Sequence, residues 1–458
     1  MAVLAQIASP VTQLVARFAC DYDLSDAPAQ VFEHATRAML DTVGVTIAAR
    51  LEPSFTILAR TFSQGTCTGD ATVLATRTRT QPAQAALLNG TAGHALDFDD
   101  VADEIKGHPS VVLVPALMAV AEANSNTGRE LLEAYVVGFE VACALARGLP
   151  VEGHYARGWH ATATIGVIAA ACGAGRLLRL DEVRMRHGLG IAASMASGSR
   201  QNFGSMTKPL HAGMAARDAL TAAQLAASGF TADPDQLEGP LGYFALYGVE
   251  PDPDAVAIAL AGPRVLAEHG LNAKKYACCY ETHRAADAAL TLYERGVRAD
   301  AVRSIAVTVQ PGGRQAVIHH RPTTGLQGKF SAEYVVAACL LDGRITLSTF
   351  SDGAVQRPEA QALLQRVVVH EAAEPPFGGS VSFEHAYAAV DVTLGDGSRQ
   401  RERCDVPRGH ASLPLSDAEL DAKFRDCVEF AESDWDAQDL LQRLRALGET
   451  PRFADALA

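Results

Sequence analysis

One fourteen-residue segment, 97–110, concentrates the acid and base side chains of this 458-residue chain. It carries four aspartates, a glutamate, a lysine and a histidine between two apolar, helix-like stretches. Burying so many ionisable groups is costly unless they face water, a metal ion or a substrate. His108 precedes Pro109, so we expect its imidazole at a helix N-terminus, where it stays neutral and suits proton transfer. The alternative is a loop in which Asp97 or Asp99 caps a helix and His108 is solvated.

Two later segments also combine reactive side chains with predicted helix starts. Segment 153–164 holds Tyr155 and His160, which could both transfer protons, and Thr162, whose hydroxyl could bind a carboxylate. A lone histidine such as His160 is more often a satisfied core residue, and that alternative stays open. Segment 204–215 places Lys208 at a helix start, where its ammonium opposes the helix dipole. A role in binding an anion therefore explains a lysine at this position better than a purely structural role does.

A fourth segment, 272–283, holds two adjacent lysines, Lys274 and Lys275. Neighbouring ammonium groups repel each other unless water or an anion screens them. Cys279 could act as a nucleophile, but nothing in the local sequence determines its pKa. A solvated basic turn is the alternative interpretation of this segment.

Together the four segments supply cations, imidazoles, carboxylates and a phenol, without a phosphate-binding loop or a zinc motif. This set fits the removal or delivery of a proton at a carbon next to a carboxylate. Such a carbon is a very weak acid, so the site must hold the carboxylate with cations and N–H donors while a positioned base takes the proton. The sequence therefore predicts proton transfer at a carbon next to a carboxylate.

The elements that must position these groups change character along the chain. Apolar residues recur at helical spacing over 31–226, which predicts an all-helical region, and Thr127-Gly128-Arg129-Glu130 is typical of a capping box. After Pro263 the pattern becomes mixed, with a strand at 304–309, a hairpin turn at Asp396-Gly397, and helices at 284–296 and 330–341. A second capping box, Ser416-Asp417-Ala418-Glu419, opens a final helix. The fold class predicted is α plus α+β.

The amino-acid composition limits which partners this protein is expected to bind and in which compartment it is expected to lie. A net charge of −14 without a basic run argues against nucleic acid or an anionic membrane as partner. The longest uncharged apolar run, 161–175, is shorter than the ~20 residues that span a bilayer. Nine scattered cysteines without Cys-x-x-Cys spacing, and a start at Met1–Gln6 without a basic region, indicate a reduced, cytoplasmic protein.

In order and spacing, the four segments resemble the MmgE/PrpD superfamily. The resemblance lies in Gly93-His94-Ala95-Leu96-Asp97-Phe98-Asp99-Asp100 with His108-Pro109-Ser110, in Gly158-Trp159-His160, in Thr207-Lys208-Pro209-Leu210-His211 and in Lys274-Lys275-Tyr276. It implies a cofactor-free enzyme of small di- or tricarboxylates that forms homodimers. It also implies a helical domain (1–265), an α+β domain (266–410) and a final segment (411–458) that returns to the helical domain. The pocket residues it carries over are Asp97, His108, His160, Lys208 and Lys274.

Within that superfamily, the segments 153–160 and 201–209 look most like those of iminodisuccinate epimerases. In cis-aconitate decarboxylases a histidine is expected at the position of Cys279 and a tyrosine near Ile318, and these departures count against decarboxylation. We therefore predict epimerisation at the carbon α to a carboxylate, with Tyr155 as one proton-transfer group. Lys274, His160 and Asp97 are the candidates for the opposing base, with His108 polarising or orienting. The predicted substrate-binding residues are Thr162, Ser205, Lys275, Cys279, Tyr280 and His283.

Several alternatives to epimerisation remain. A dehydratase acting on a 2-methylcitrate-like substrate would use the same base with an acid for the departing hydroxyl, and a decarboxylase of the cis-aconitate type is a further option. A polycarboxylate-binding protein would bind without exchanging protons. The Asp-Asp-x-x-Asp pattern at 99–103 also occurs in magnesium-dependent isoprenoid synthases, but no second metal motif accompanies it. Beside the other segments, we expect Asp99, Asp100, Asp103 and Glu104 to be loop, cap or rim residues.

Overall fold

The computed structural model describes residues 10–25, 27–62, 69–377 and 386–458. Met1–Gln6 and Cys67, on which part of the compartment prediction rests, lie outside these ranges. The chain splits into two compact units. The helical unit comprises Met1–Asn202, Met206–Ala273 and Ser416–Ala458, and the α+β unit comprises Phe203–Ser205 and Lys274–Leu415.

The helical unit is built from sixteen α-helices among the described residues. They are α1 (Val11–Asp21), α2 (Ala29–Ala48), α3 (Pro53–Phe62), α4 (Pro82–Ala95), α5 (Ser110–Ala123), α6 (Gly128–Gly148), α7 (Val151–Ala156), α8 (Ala161–Thr164), α9 (Gly166–Leu177), α10 (Glu182–Ser194), α11 (Thr207–Ala227), α12 (Tyr243–Tyr247), α13 (Pro253–Ala261), α14 (Val265–Glu268), α20 (Asp417–Phe430) and α21 (Ala437–Arg445). Their apolar faces share one core. The predicted helical character of this region is confirmed.

Both predicted capping boxes form. At the start of α6, Thr127 Oγ1 accepts a hydrogen bond from the Glu130 backbone N–H, and the Glu130 carboxylate accepts one from the Thr127 N–H. Ser416 and Glu419 make the same reciprocal bonds at the start of α20. Each box satisfies backbone donors that the first turn of a helix leaves without intrahelical partners.

Helices α4 and α11 approach closely because glycines face each other. A Cβ built on Gly90 of α4 would lie 2.8 Å from the Gly213 Cα of α11, which no larger residue allows. His94 follows Gly90 by one helical turn, and Lys208 and His211 lie on α11 just before Gly213. The glycine contact therefore brings the end of α4 near the beginning of α11.

The helical unit is not all-helical, which corrects the sequence prediction. It contains a small antiparallel hairpin of β1 (Ala71–Val73) and β2 (Thr78–Thr80). The buried Glu122 carboxylate on α5 accepts hydrogen bonds from the Thr72 backbone N–H and from the Thr72 hydroxyl, both at 2.7 Å. Strands of three residues are too short for an alternating apolar pattern to reveal them.

The C-terminal helix α20 lies against α2. Phe424 of α20 fits over Gly44 of α2, where a built Cβ would lie 2.9 Å from the Phe424 ring. Buried Lys423 pairs with Asp41 of α2 at 2.7 Å, and its ammonium donates to the Phe98 carbonyl at 2.9 Å. The last segment of the chain is thus tied to the loop that follows α4.

The α+β unit contains a mixed sheet with helices around it. Its elements are α15 (His283–Glu294), β3 (Val302–Val309), α16 (Gly325–Gly328), α17 (Ala332–Asp342), α18 (Asp352–Val355), α19 (Pro358–Leu364), β4 (Val367–Glu371), β5 (Ala388–Leu394) and β6 (Arg399–Cys404). The strand order is β4-β3-β5-β6, with β3 parallel to β4 and antiparallel to β5. The predicted strand at 304–309 and the hairpin at Asp396-Gly397 are both confirmed.

Across the described part of the chain, none of the helices has the length and apolar content that a bilayer crossing requires.

Candidate active site

A loop with two left-handed residues connects α4 to α5 and carries the acid-rich segment. Asp97 has φ +52° and Lys106 has φ +49°, so the chain reverses direction twice. The loop is held by the pairing of Val101 with Asn272, through two backbone hydrogen bonds of 3.0 Å. These turns direct side chains of residues 97–110 back towards the end of α4.

Two histidines converge on the Asp99 carboxylate within this loop. Asp99 Oδ2 lies 2.8 Å from His94 Nδ1 and 3.2 Å from His108 Nδ1, and the two rings meet edge to face at 4.5 Å. Burial lowers the pKa of His94 to about 3, against the opposing effect of Asp99. Burial alone would raise the pKa of Asp99, but His94 and His108 hold it well below its usual range. We infer an ionised Asp99 beside a neutral His94 imidazole.

The hydrogen bonds determine which nitrogen of each ring carries the proton. His108 Nδ1 lies 2.9 Å from the Asp100 carbonyl oxygen, which can only accept, so Nδ1 is the protonated nitrogen. His94 Nδ1 likewise donates to Asp99. In the neutral form of either ring, Nε2 then carries the lone pair. His94 Nε2 is buried and makes no hydrogen bond to the described residues, so a water or ligand must satisfy it.

A second pair of histidines lies beside the first. The His160 ring stacks near His94 at 5.7 Å, and its Nδ1 lies 3.2 Å from His211 Nδ1. His160 precedes α8 and its backbone N–H donates to the Gly198 carbonyl, whereas His211 belongs to α11. Burial is the main cause that holds the pKa of His160 well below its ordinary value, and the nearby Lys208 ammonium acts in the same direction. Burial and Lys208 also lower the pKa of His211.

Lys208 and Asp97 form a buried ion pair with each other. Lys208 begins α11, and Asp97 directly follows α4, so the close packing of these two helices makes the pair possible. An ammonium has three N–H donors, and the bond to Asp97 uses one of them. The pair therefore supplies a cation whose position is set by a carboxylate.

Asp99 and Asp100 lie in the loop, as predicted, but both are buried, so neither is a rim residue. The Ser110 hydroxyl donates to Asp100 and also lies 2.7 Å from the Tyr135 hydroxyl. Burial raises the pKa of Asp100 to about 8, against the effect of Ser110. Asp103 is exposed and accepts a hydrogen bond from Asn272, as a rim residue would.

Tyr155 and Thr162 occupy two different surroundings. The Arg200 guanidinium lies 3.5 Å from the centre of the Tyr155 ring and the Lys106 ammonium lies 5.2 Å from it, so the phenol has cations on its ring. Thr162 is buried, and its hydroxyl accepts from the His108 backbone N–H at 3.0 Å. Thr162 thus positions His108. The sequence had predicted only substrate binding for Thr162.

The remaining predicted residues, Ser205, Lys274, Lys275, Cys279, Tyr280 and His283, belong to the α+β unit. Lys274 and His283 are fully buried, whereas Lys275 is exposed. The Cys279 backbone N–H donates to the Lys329 carbonyl at 2.9 Å, and the buried Lys329 ammonium donates to the Ala277 carbonyl. The rings of Tyr280 and His283 lie 5.1 Å apart.

Three residues of the helical-unit cluster, His94, Asp99 and His211, were not predicted as site residues. Helical spacing offered a signal for two of them. His211 follows Lys208 by three residues on a helix, which places both on one face, and His94 precedes Asp97 by the same interval at a helix end. The burial of Asp99 had no local signal, because it depends on the turns that return the loop to α4.

The ligand atoms of His94, Asp99 and His108 lie within 4.8 Å of one another, a spacing that a metal ion could use. Two ligands of one tetrahedral zinc ion stand roughly 3.3 Å apart, given bonds of about 2.0 Å. His94 Nδ1 and Asp99 Oδ2 are closer than that, at 2.8 Å, which is an ordinary hydrogen-bond distance. Direct hydrogen bonding explains these distances better than a metal site does.

Comparison with known proteins agrees with this architecture. A family model of the MmgE/PrpD N-terminal domain matches residues 13–255, and one of the MmgE/PrpD C-terminal domain matches residues 276–446. The human cis-aconitate decarboxylase is 30% identical over 407 residues, which cover 86% of this chain and 83% of the relative. The mouse enzyme of that name is 32% identical over 76% of this chain and 72% of its own. The one from Aspergillus terreus is 26% identical over 91% and 89%.

The two family models together match most of the chain, and these relatives are enzymes. The chain therefore belongs to the MmgE/PrpD family.

Proposed function

We propose that this chain transfers protons at the carbon α to a carboxylate of a small di- or tricarboxylate, with epimerisation as the net reaction. One observation carries the proposal. The imidazoles of His108 and His160 each have Nδ1 engaged in a hydrogen bond, in the unit that also holds the buried Lys208. Neutral imidazoles are suitable bases at neutral pH, and a buried cation suits a carboxylate.

In this mechanism His108 polarises or orients the substrate through Nε2, because its Nδ1–H donates to the Asp100 carbonyl. The Asp99 carboxylate 3.2 Å from Nδ1 stabilises positive charge that develops on the ring. Thr162 and the Asp100 carbonyl hold the orientation of the ring. The imidazole is thus oriented before the substrate arrives, which lowers the cost of reorganisation in the transition state.

Lys208 binds a substrate carboxylate in the proposed reaction. Negative charge grows on that carboxylate as the α-proton leaves, so a nearby ammonium stabilises the transition state more than the ground state. Asp97 fixes the ammonium and remains one candidate for the opposing base, with His160 and Lys274. The further residues proposed to contact substrate are Ser205, Lys275, Cys279, Tyr280 and His283.

Tyr155 is the proposed second proton-transfer group. A phenol must pass through a phenolate to exchange protons, and nearby positive charge favours that form. Arg200 lies 3.5 Å and Lys106 5.2 Å from the ring centre, so both stabilise negative charge there. Proton removal by one group and delivery by another on the opposite face is what epimerisation requires.

Decarboxylation of a cis-aconitate-like tricarboxylate is the second candidate, because the relatives described above carry that name. Loss of CO2 leaves a carbanion of the same kind, which needs only one proton from an acid. Cys279 and Ile318 stand where a histidine and a tyrosine are expected in decarboxylases, and this difference favours epimerisation.

Proton NMR in D2O separates these reactions. The probes are the separate enantiomers of small amino- and hydroxy-dicarboxylates, together with 2-methylcitrate and cis-aconitate. Epimerisation replaces the α-proton by deuterium without a new alkene signal, dehydration produces an alkene, and decarboxylation releases CO2. We expect deuterium exchange in at least one enantiomer pair, and the absence of exchange in every probe would refute the proposal.

Three variants and a matched control test the residues. H108Q, H160Q and K208M should each lower turnover at least ~100-fold, the usual contribution of a positioned proton-transfer group. H154Q is the control, because both ring nitrogens of His154 are bonded, to the Tyr247 carbonyl and to the Thr164 hydroxyl. It should keep turnover near that of the unaltered chain. Unchanged turnover in both H108Q and H160Q would contradict the site assignment.

A further inference from the structure

The contact between His160 and His211 constrains where their protons lie. Their Nδ1 atoms are 3.2 Å apart, and the ring centres are 5.4 Å apart. Gly198, with φ +130°, lies beside both rings, and a Cβ built there would be 3.4 Å from His160 Cβ and from His211 Nδ1. The Gly198 carbonyl also accepts from the His160 backbone N–H. The Nδ1 atoms of the two imidazoles therefore face each other, with the ring planes tilted by 57°.

A short contact between two Nδ1 atoms holds one proton. If neither atom carried a proton, two lone pairs would face each other, and if both did, two N–H groups would collide. Two neutral rings must therefore adopt opposite tautomers, with Nδ1–H on one ring and Nε2–H on the other. When His160 carries Nδ1–H, its Nε2 holds the lone pair and the ring can act as a base.

We propose that His211 is the proton-relay partner of His160, an inference that rests on the proposed proton-transfer function. As the substrate C–H bond breaks, its proton forms a bond to His160 Nε2, and its electron pair remains on the substrate as an enolate. The Nδ1–H bond of His160 then breaks as that proton moves to His211 Nδ1. His211 becomes an imidazolium and releases its Nε2 proton to water, so no other co-reactant is needed.

Charge distribution favours this direction of transfer. An imidazolium at His160 would lie 5.7 Å from the His94 ring, in a position that is 2% exposed, whereas the Lys208 ammonium opposes a positive charge on either ring. Passing the charge to His211, which is 8% exposed, moves it away from His94 and towards solvent. Hydration stabilises a charge more strongly than a buried site without a counter-ion does.

A purely structural role for His211 makes different predictions. Asparagine places a hydrogen-bonding atom near the position of Nδ1 but cannot carry a proton onward, so H211N separates the two roles. A relay predicts that H211N lowers kcat for α-proton exchange at least tenfold with KM changed less than threefold. It also predicts that added imidazole partly restores kcat in H211A. If H211N keeps the kcat of the unaltered chain, the relay is refuted.

A second measurement needs no substrate. Nitrogen-15 NMR of histidine side chains in the full chain distinguishes the two neutral tautomers, with H160Q and H211N spectra used for assignment. Opposite tautomers for His160 and His211 are expected, and identical tautomers or a permanent imidazolium at neutral pH would overturn the inference. If the unaltered chain exchanges no α-proton with any probe, the proposed function fails. If it does and H211N matches it, only the relay fails.

Discussion

Replacing Gly213 by alanine should destabilise the helical unit, although alanine is the better helix former. A Cβ at Gly213 would lie 2.2 Å from Thr91 Oγ1 and 2.3 Å from the Leu87 carbonyl oxygen of α4. Thr91 is held in place because its hydroxyl donates to that same carbonyl at 2.8 Å. The carbonyl is backbone, so relief of the contact requires α4 and α11 to separate.

The size of the effect follows from two opposing contributions. Alanine is favoured over glycine inside a helix by about 1 kcal/mol. Ordinary contact begins near 3.4 Å, so the helices must separate by about 1 Å, and such overpacking costs about 3 kcal/mol. The free energy of unfolding should therefore fall by about 2 kcal/mol. Because a shift of this size also moves Lys208 and His211 away from His94, turnover should fall up to ~100-fold.

Guanidinium unfolding followed by circular dichroism measures this change. The matched control is G188A in α10, where the nearest atom to a built Cβ is Ala226 Cβ at 3.5 Å. That substitution gains helix propensity without a clash, so it should stabilise the chain by up to ~1 kcal/mol. If G213A were as stable as the unaltered chain, or changed in the same direction as G188A, close helix packing would not be what Gly213 provides.

Three further outcomes are expected. K208M should lower the free energy of unfolding by about 3–5 kcal/mol, because it leaves Asp97 buried and charged. Adding D97N to K208M should recover most of that loss in urea unfolding. If the losses of the two single variants simply added in the double variant, the buried ion pair would be contradicted. The pKa of Asp100 is about 8 in the folded chain and near 4 unfolded, so unfolding releases a proton between these pH values. Rising pH should therefore destabilise the unaltered chain relative to D100N across this window. Thermal unfolding at several pH values measures the difference. If the stabilities of the two proteins changed with pH in parallel, the pKa of Asp100 would not be raised. T127A should lower the free energy of unfolding in urea by about 1 kcal/mol, while T127S should lower it little, because only the serine keeps the capping oxygen. If both variants lost the same stability, the capping hydrogen bond would not be what Thr127 contributes.

Much of the fold could be predicted because its signals are local. The capping boxes at Thr127 and Ser416 and the hairpin turn at Asp396-Gly397 each lie within four consecutive residues, so tertiary context did not have to be known. The helix predicted at 284–296 is found at His283–Glu294, an error of the usual size at helix ends. The β1–β2 hairpin was missed, because what holds it is Glu122, about fifty residues further along the chain.

The candidate site was only partly predictable, since its contacts join distant residues. His160 and His211 are separated by 51 positions, and Lys208 and Asp97 by 111. Asp99 and Asp100 were expected to be loop, cap or rim residues, and they do lie in a loop, but their burial could not be predicted. Their partners, His94, His108 and Ser110, become neighbours only after the left-handed turn at Asp97 reverses the chain.

The sequence by itself determined the helical character of the first half, the capping boxes, the strand at 304–309, the MmgE/PrpD resemblance and the side chains capable of proton transfer, because all of these depend on residue type at short spacing. The tertiary structure decided which carboxylates are buried, which nitrogen of His94 and His108 carries the proton, and that Lys208 pairs with Asp97. Those properties depend on solvent exclusion and on hydrogen-bond partners. Both arise only when the glycine-lined contact of α4 with α11 brings the end of one helix to the start of the other.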